Sequence, residues 1–183
     1  PRGVRFVTAQ YRPKRTSKLL YKALKETIKI YKRAGFIVQT CIMDNEFEPL
    51  KALMADTCVI NTTAKNEHVG KIKRMIRTIK GKSRCIHSKL KEVGIINIPH
   101  AIIKALSKFV GMWHNASISK QGISQEYSPR ELVLHWQSDY KKHMKALFGT
   151  YCKESGDSHN ANTHEDQSTP SVSMSPTGNM QGA

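Results

Sequence analysis

Basic side chains recur along one segment of the chain at the spacing of a single helical face. They are Lys73, Arg77, Lys80 and Arg84, at positions i, i+4, i+7 and i+11. Residues three and four apart are neighbours on a helix, so these four would form one continuous stripe. Such a stripe suits the phosphates of a DNA backbone, with an affinity that falls as salt rises. The alternative is an ordinary solvated basic face. Lys65 and Arg74, in the same segment, belong to this predicted DNA-binding surface.

A second basic cluster precedes the first expected helix. Lys14 and Arg15 stand just before Thr16 and Ser17, either of which can cap a helix start. Phosphates favour helix N-termini, where free N–H groups and the helix dipole add to nearby cations. We therefore count Lys14 and Arg15 among the candidate DNA-binding residues.

The charge of the whole chain agrees with a polyanionic partner. It has 30 Lys and Arg against 14 Asp and Glu, a net charge of +16. Residues 153–183 hold one lysine and four acidic residues, which leaves 29 basic and 10 acidic side chains in residues 1–152. Repulsion of this size opposes compaction. Nucleic acid is the first candidate partner and an anionic membrane surface the second, against the alternative of a merely soluble basic domain.

Other residue types exclude several classes of protein. The four cysteines form no Cys-x-x-Cys pair, which predicts buried thiols in a reducing compartment. The histidines lack zinc-ligand spacing, and His100, His114 and His135 are expected to lie in the core or an interface. No apolar run reaches the roughly 18–20 residues that span a membrane, and no signal peptide is visible. The opening without Met suggests a piece of a longer reading frame.

The first third of the chain predicts strand, helix, strand. Residues 4–8 are rich in β-forming side chains. A helix is then expected up to Gly35, because apolar residues recur at helical spacing and glycine suits the left-handed residue that ends a helix. Residues 36–43 form an apolar run of strand length, typical of a strand covered on both faces.

The rest of the chain predicts mainly helices. We expect a short helix at 49–54, a brief strand at 58–61 and a long helix at 66–84, with Val69, Ile72, Ile76 and Ile79 on its buried side. Pro99 can begin another helix. Ser128, Pro129 and Glu131 fit a capping box. After Cys152 the composition turns to small polar residues, which predicts a disordered tail over 153–183.

Asp44 and Asn45 stand at the carboxyl end of the second predicted strand. Both side chains are suited to starting a turn, because they satisfy local backbone groups. The surrounding motifs favour a second interpretation, in which Asp44 occupies an active-site position.

Four segments together resemble the catalytic core of Ty1/copia-type retrotransposon integrases. Asp44-Asn45-Glu46-Phe47 resembles the family's Asp-Asn motif. Trp113-His114-Asn115 and Ser128-Pro129-Arg130-Glu131 are similar to motifs of its C-terminal helices, and Phe148-Gly149-Thr150-Tyr151 resembles the Phe-Gly motif that follows. The segments occur in the family's order, and with the flanking elements the resemblance spans residues 4–152.

The resemblance implies metal-dependent DNA strand transfer. Three carboxylates of such a core hold Mg²⁺ or Mn²⁺, which activates the attacking hydroxyl and stabilises the displaced oxygen. Asp44 matches the second carboxylate and would be a metal ligand. The first would lie before residues 4–8, so the chain is expected to begin too late to contain it.

The third carboxylate is where the sequence departs from the family. Alignment of the family's Asn-Gly-Val-Ala-Glu-Arg with the segment at 66–72 puts Lys71 at the glutamate position. A charged lysine cannot ligate magnesium. Glu67 lies one helical turn earlier on roughly the same face and is a candidate substitute. We therefore expect a catalytically degenerate site.

Taken together, the sequence predicts an α/β fold of the ribonuclease-H type: a mixed sheet with surrounding helices, truncated at its N-terminus, over residues 1–152, then a disordered tail. The function expected is that of a retrotransposon integrase fragment that binds duplex DNA. It would be intracellular, and nuclear if functional, and it would form homo-oligomers like the family, with no membrane contact. The alternative is a non-enzymatic nucleic-acid-binding remnant or an RNA-binding module.

Overall fold

The computed structural model describes residues 3–63, 70–120, 122–155 and 168–176, and over these residues the chain is mixed α/β. The α/β class predicted from the sequence is therefore confirmed. The helices are α1 (Ser17–Arg33), a 3-10 helix (Asn45–Leu50), α2 (Lys51–Met54), α3 (Gly70–Glu92), α4 (His100–Ala116), α5 (Pro129–Leu134) and α6 (Tyr140–His143). The strands are β1 (Thr40–Met43), β2 (Val59–Thr62), β3 (Tyr151–Ser155) and β4 (Ser168–Val172).

A small parallel sheet organises the first half of the chain. Strands β1 and β2 pair in parallel from Thr40 opposite Val59 to Met43 opposite Thr62. Their inner face packs with α1, the 3-10 helix and α2 around a core of Leu24, Leu50, Met54, Cys58 and Ile60. Their outer face is open, with Ile42 48% and Val59 60% exposed. The described residues therefore cover only one of the two faces of this sheet.

Helices α3 and α4 form the second core. Leu90 packs there with Leu106, Phe109, Val110 and Phe148. Helix α4 has 17 residues and α3 has 23, so at 1.5 Å per residue α3 is longer by about 9 Å. The described residues do not cover the start of this longer helix. Ile72 and Ile76 are 44% and 47% exposed, so the prediction that they form the buried side was wrong. Ile79 does pack against the core, and Val69 lies outside the described residues.

Residues 4–8 do not form a strand, and that prediction was wrong. No strand of the described residues lies beside them, and their backbone is instead held by side chains. The Asn115 amide pairs with the Val7 peptide in both directions: Val7 N–H donates to Asn115 Oδ1 at 2.8 Å, and Asn115 Nδ2 donates to the Val7 carbonyl at 2.7 Å. The amide thus replaces the ladder that a strand partner would supply, and Asn115 is only 4% exposed.

The same segment also contacts the first half of the chain. The Tyr31 hydroxyl of α1 donates to the Phe6 carbonyl at 3.2 Å, and the two rings meet edge to face at 6.1 Å. Burial raises the pKa of Tyr31 above its usual value, which keeps the hydroxyl protonated and able to donate. Residues 3–8 therefore connect α1 to α4, and so connect the two cores.

Element boundaries differ from the predicted ones where long-range packing decides them. Only Thr40–Met43 of the predicted strand at 36–43 is a strand, because β2 pairs with those four residues alone. Helix α3 continues to Glu92 instead of ending at Arg84, and residues 66–69 of the predicted helix lie outside the described residues. The predictions at helix ends agree better: Gly35 is left-handed at φ 80°, and Ser128 and Glu131 form the predicted capping box.

The C-terminal part contains a second strand pair. Strands β3 and β4 pair antiparallel, from Tyr151 opposite Val172 to Ser155 opposite Ser168. The described strands therefore form two separate pairs and not the single mixed sheet predicted. The predicted boundary at 152 falls within β3. Of the predicted disordered tail, residues 153–155 and 168–172 lie in these strands and residues 173–176 have no regular secondary structure, while residues 156–167 and 177–183 lie outside the described residues.

The Asn115 amide should carry a large share of the stability at the junction of the two cores. We expect Asn115→Ala to lower the free energy of unfolding by about 2–3 kcal/mol, because two hydrogen bonds are lost and buried peptide groups stay unpaired. Chemical denaturation measures this. Ser117→Ala is the matched control: its hydroxyl only bonds back to the Trp113 carbonyl on an exposed helix end, so it should change stability by less than about 0.5 kcal/mol. Equal effects of the two variants would contradict the account.

Candidate nucleic-acid interface

The predicted basic stripe lies on the solvent side of α3. Lys73, Arg77, Lys80 and Arg84 are all exposed, as is Arg74 beside them. The described residues form four ion pairs, and the one that involves α3 joins Lys89 to Glu92 at the far end of the helix. No carboxylate of the described residues therefore neutralises the stripe. Each pair of like charges at this spacing costs a few tenths of a kcal/mol of helix stability. An anion bound to the stripe would remove this repulsion.

The second predicted cluster is partly engaged within the protein. Lys14 and Arg15 are exposed just before α1, and Thr16 at its start makes no side-chain capping bond. Arg15 forms an ion pair with Glu46 at 3.5 Å, which turns it toward the helix that follows Asp44. Such an exposed pair contributes little and leaves the guanidinium available. Lys65 lies outside the described residues.

A group of basic side chains that the sequence analysis missed lies on the opposite side of α3. Lys82 Nζ is 3.4 Å from His114 Nδ1 on α4. Arg5 is close enough to His114 to act on its charge and donates to the Ser119 hydroxyl at 3.3 Å. His114 was predicted to be a core or interface histidine, and it is half-buried at the α3–α4 interface. His100 and His135, for which the same was predicted, are exposed. Residues 5, 82 and 114 are too far apart in the sequence for any local pattern to signal their meeting.

Asp44 lies where the sequence placed it, directly after a β-strand. It precedes the 3-10 helix, and its side chain makes no capping hydrogen bond to that helix. The Asp44 carboxylate therefore does not start the turn through a capping hydrogen bond. Thr63 N–H donates to the Met43 carbonyl at 3.0 Å, so the carboxyl ends of β1 and β2 meet beside the exposed Asp44.

The described residues near Asp44 do not fit the metal site that the resemblance implies. Glu46 pairs with Arg15, and Glu48 pairs with Lys51 at 2.7 Å and accepts from the Thr62 hydroxyl. These bonds lower the pKa of Glu48, with Lys51 the main cause. In the part of the chain that is described, no three His, Cys, Asp or Glu side chains form a group able to hold a metal ion.

Glu67 and Lys71 are the two candidates for the third carboxylate position. Glu67 lies outside the described residues, and Lys71 lies in the first turn of α3. We therefore derive no metal-dependent step for this chain.

The two tryptophans, Trp113 and Trp136, pack against other side chains. Trp113 is half-buried, between Phe109 at 6.2 Å and Tyr140 at 4.5 Å between ring centroids. Trp136 has one face covered by Arg130, whose guanidinium carbon lies 4.0 Å from the ring centroid. Both rings therefore have protein neighbours where a stacked base would need access.

The cysteines agree only in part with the prediction of buried thiols. Cys58 is buried, Cys41 is half-buried and Cys85 on α3 is exposed. The Cys41 and Cys58 sulfurs lie 3.6 Å apart beneath the parallel sheet. Burial, together with the hydrogen bond and charge interaction with Cys58, raises the pKa of Cys41 to about 12. The protonated thiol is thus the stable form of Cys41 at neutral pH.

Comparison of the chain with protein-family models, curated proteins and solved structures finds no match. The described helices include none that is both long and apolar enough to cross a membrane. The functional interpretation therefore depends on the chemistry of the residues and on the resemblance noted above.

The raised pKa of Cys41 predicts slow alkylation. Thiolate is the reactive form, and at pH 8 a thiol with a pKa of about 12 is ~1,000-fold less ionised than an ordinary thiol with a pKa near 8.5. With iodoacetamide at pH 8, followed by mass spectrometry, Cys41 should react at least about 100-fold more slowly than the exposed Cys85. Cys58→Ala removes the neighbouring thiol and should speed labelling of Cys41. Labelling of Cys41 within tenfold of Cys85 in the unchanged protein would refute this.

Proposed function

We propose that this chain is a nucleic-acid-binding piece of a copia-type retrotransposon integrase core, with duplex DNA held on α3 and with a degenerate catalytic site. The observation that carries the proposal is the exposed basic stripe, which no carboxylate of the described residues neutralises. A helix that keeps such a stripe at a cost in self-repulsion is suited to a polyanion.

The arrangement of the first half supports the ribonuclease-H-type fold as part of the proposal. Helix α1, strand β1, a short helical segment, strand β2 and the long helix α3 follow one another in that order. The two strands are parallel and adjacent, and Asp44 stands at the carboxyl end of the first. Parallel strands are usually covered on both faces, so the open outer face of β1 and β2 agrees with a sheet that is larger in the parent protein.

Catalysis is not part of the proposed function of this chain. Asp44 is the one expected metal ligand that the described residues supply, and Lys71 takes the place of the third carboxylate. The parent protein would join DNA strands with Mg²⁺ or Mn²⁺. A nuclear location and homo-oligomerisation, as in the family, belong to the same proposal.

A salt series tests the DNA-binding surface. Fluorescence anisotropy of the full chain with a duplex oligonucleotide should show log affinity falling linearly with log salt. Neutralising Lys73, Arg77 and Lys80 together, each to Gln, should reduce the slope by about 3, since each lost phosphate contact removes about 0.9. Circular dichroism checks that α3 stays folded, as glutamine is a good helix former.

A matched control removes the same charge elsewhere. Lys141, Lys142 and Lys145 are exposed, and changing all three to Gln should alter the slope by less than about 1. If both triple variants weaken binding equally, net charge alone explains the affinity, and the proposal that α3 is the DNA-binding surface is wrong. Weak binding of the unchanged protein at low salt would refute the proposal as a whole.

An RNA-binding module is the second candidate, favoured by the same excess of positive charge. It predicts that a structured RNA hairpin displaces the labelled duplex DNA at a concentration at least tenfold below that of unlabelled duplex. Equal or weaker competition by the hairpin supports the DNA proposal.

A substitution at Lys71 tests whether the chain is a degenerate enzyme or a non-enzymatic remnant that never bound metal at this position. Under the degenerate-enzyme interpretation, Lys71→Glu should raise Mn²⁺ affinity at least tenfold in calorimetry, because a second carboxylate joins Asp44. Asp44→Asn in the same background should abolish the gain. An unchanged, weak affinity would favour the non-enzymatic remnant.

A further inference from the structure

A lysine and a histidine side chain meet at the α3–α4 interface without a described carboxylate between them. Lys82 Nζ lies 3.4 Å from His114 Nδ1, a distance at which the ammonium can donate to a neutral imidazole. Lys82 is exposed, and His114 is half-buried. The pair therefore lies at the surface, where a ligand from solvent can reach it.

The segment at residues 3–8 adds a second cation, Arg5, which brings with it the hydroxyl of Ser119. Arg5 donates to Ser119 Oγ at 3.3 Å, and its charge acts on His114. Arg5 adopts a left-handed backbone, with φ 55°, between the buried Val4 and the Val7 peptide that Asn115 holds. The packing that holds these neighbours therefore also fixes where the arginine lies.

We infer that Arg5, Lys82, His114 and Ser119 form a binding site for a phosphate group. An arginine supplies paired N–H donors, a lysine a compact charge, and a histidine an N–H that is gained on protonation, while serine adds a hydroxyl donor. The two charges that act on His114, from Lys82 and Arg5, are both positive. A phosphate is the complementary ligand, since it is an anion with several acceptor oxygens.

This site is distinct from the basic stripe on α3. Lys82 is nine residues from Lys73, which is about two and a half helical turns, so the two side chains lie on opposite sides of α3. The inference therefore does not depend on the proposed DNA-binding stripe. The phosphate could belong to a nucleic-acid backbone that passes the end of α4, or to free inorganic phosphate, and the two sources can be separated by experiment.

Protonation of His114 should report on the occupant. Its pKa lies below the usual value, first because of burial and then because of Lys82 and Arg5. A bound phosphate favours the imidazolium and would raise this pKa. Linkage then requires tighter phosphate binding as pH falls through the raised pKa.

The experiment follows the ring signals of His114 by NMR in the full chain between pH 5 and 8, with assignment by their loss in His114→Gln. The arms are no probe, inorganic phosphate, and a short duplex DNA, with ionic strength matched by sodium chloride so that screening is equal. We expect at least one probe to raise the titration midpoint of His114 by half a pH unit or more. Lys82→Gln should raise the midpoint of the free protein, because a positive neighbour is lost, and should weaken probe binding at least threefold.

Lys108→Gln provides the matched control, since Lys108 is exposed on α4, the helix of His114, and its loss changes the net charge as much as the loss of Lys82 does. It should leave both the midpoint and the binding unchanged. A response to inorganic phosphate alone assigns the site to free phosphate, and a response to the duplex alone assigns it to a nucleic-acid backbone; either supports the inference. No response to either probe, or equal effects of Lys82→Gln and Lys108→Gln, would overturn it. If duplex DNA does not bind the basic stripe on α3 but the titration midpoint of His114 still responds to a probe, only the proposed function is refuted.

Discussion

The pairing of the Asn115 amide with the Val7 peptide is the contact on which the arrangement of this chain depends. Its two hydrogen bonds hold residues 3–8 against α4, while Tyr31 holds the same segment against α1. Each core is small, with five buried hydrophobic residues in either cluster. Between two small cores, the two hydrogen bonds of this buried amide make a large contribution to stability, because leaving the peptide groups there unpaired would cost free energy.

Positive charge is the second constraint, and packing distributes it over the surface. Helix α3 buries Ile79 and Leu90 against α4 and so directs its lysines and arginines to either side of that contact. The stripe from Lys73 to Arg84 lies on one side, and Lys82 meets His114 on the other. No carboxylate of the described residues pairs with the stripe or with Lys82, so both surfaces are suited to phosphates, and residues 3–8 bring Arg5 to the second one.

Local patterns in the sequence predicted the parts of the fold that depend on local chemistry. The capping box at Ser128 and the left-handed Gly35 need only their neighbours, and both were predicted. The strand at residues 4–8 was wrong because a strand also needs a partner, and here an amide side chain takes its place. The predicted buried side of α3 was wrong at Ile72, which is exposed, whereas Lys82, ten residues later, meets His114 in the last turn of α4. Likewise, the stripe was visible from helical spacing, whereas the Lys82–His114 pair depends on how two helices pack.

Lysine footprinting on the full chain tests most directly whether α3 is the surface that nucleic acid occupies. The protein is acetylated briefly with and without saturating duplex DNA, and modification at each lysine is measured by mass spectrometry. The account predicts that Lys73 and Lys80 are protected at least fivefold by DNA, while the equally exposed Lys141 and Lys142 are unchanged. Uniform protection of all four lysines, or protection of Lys141 and Lys142 alone, would contradict it.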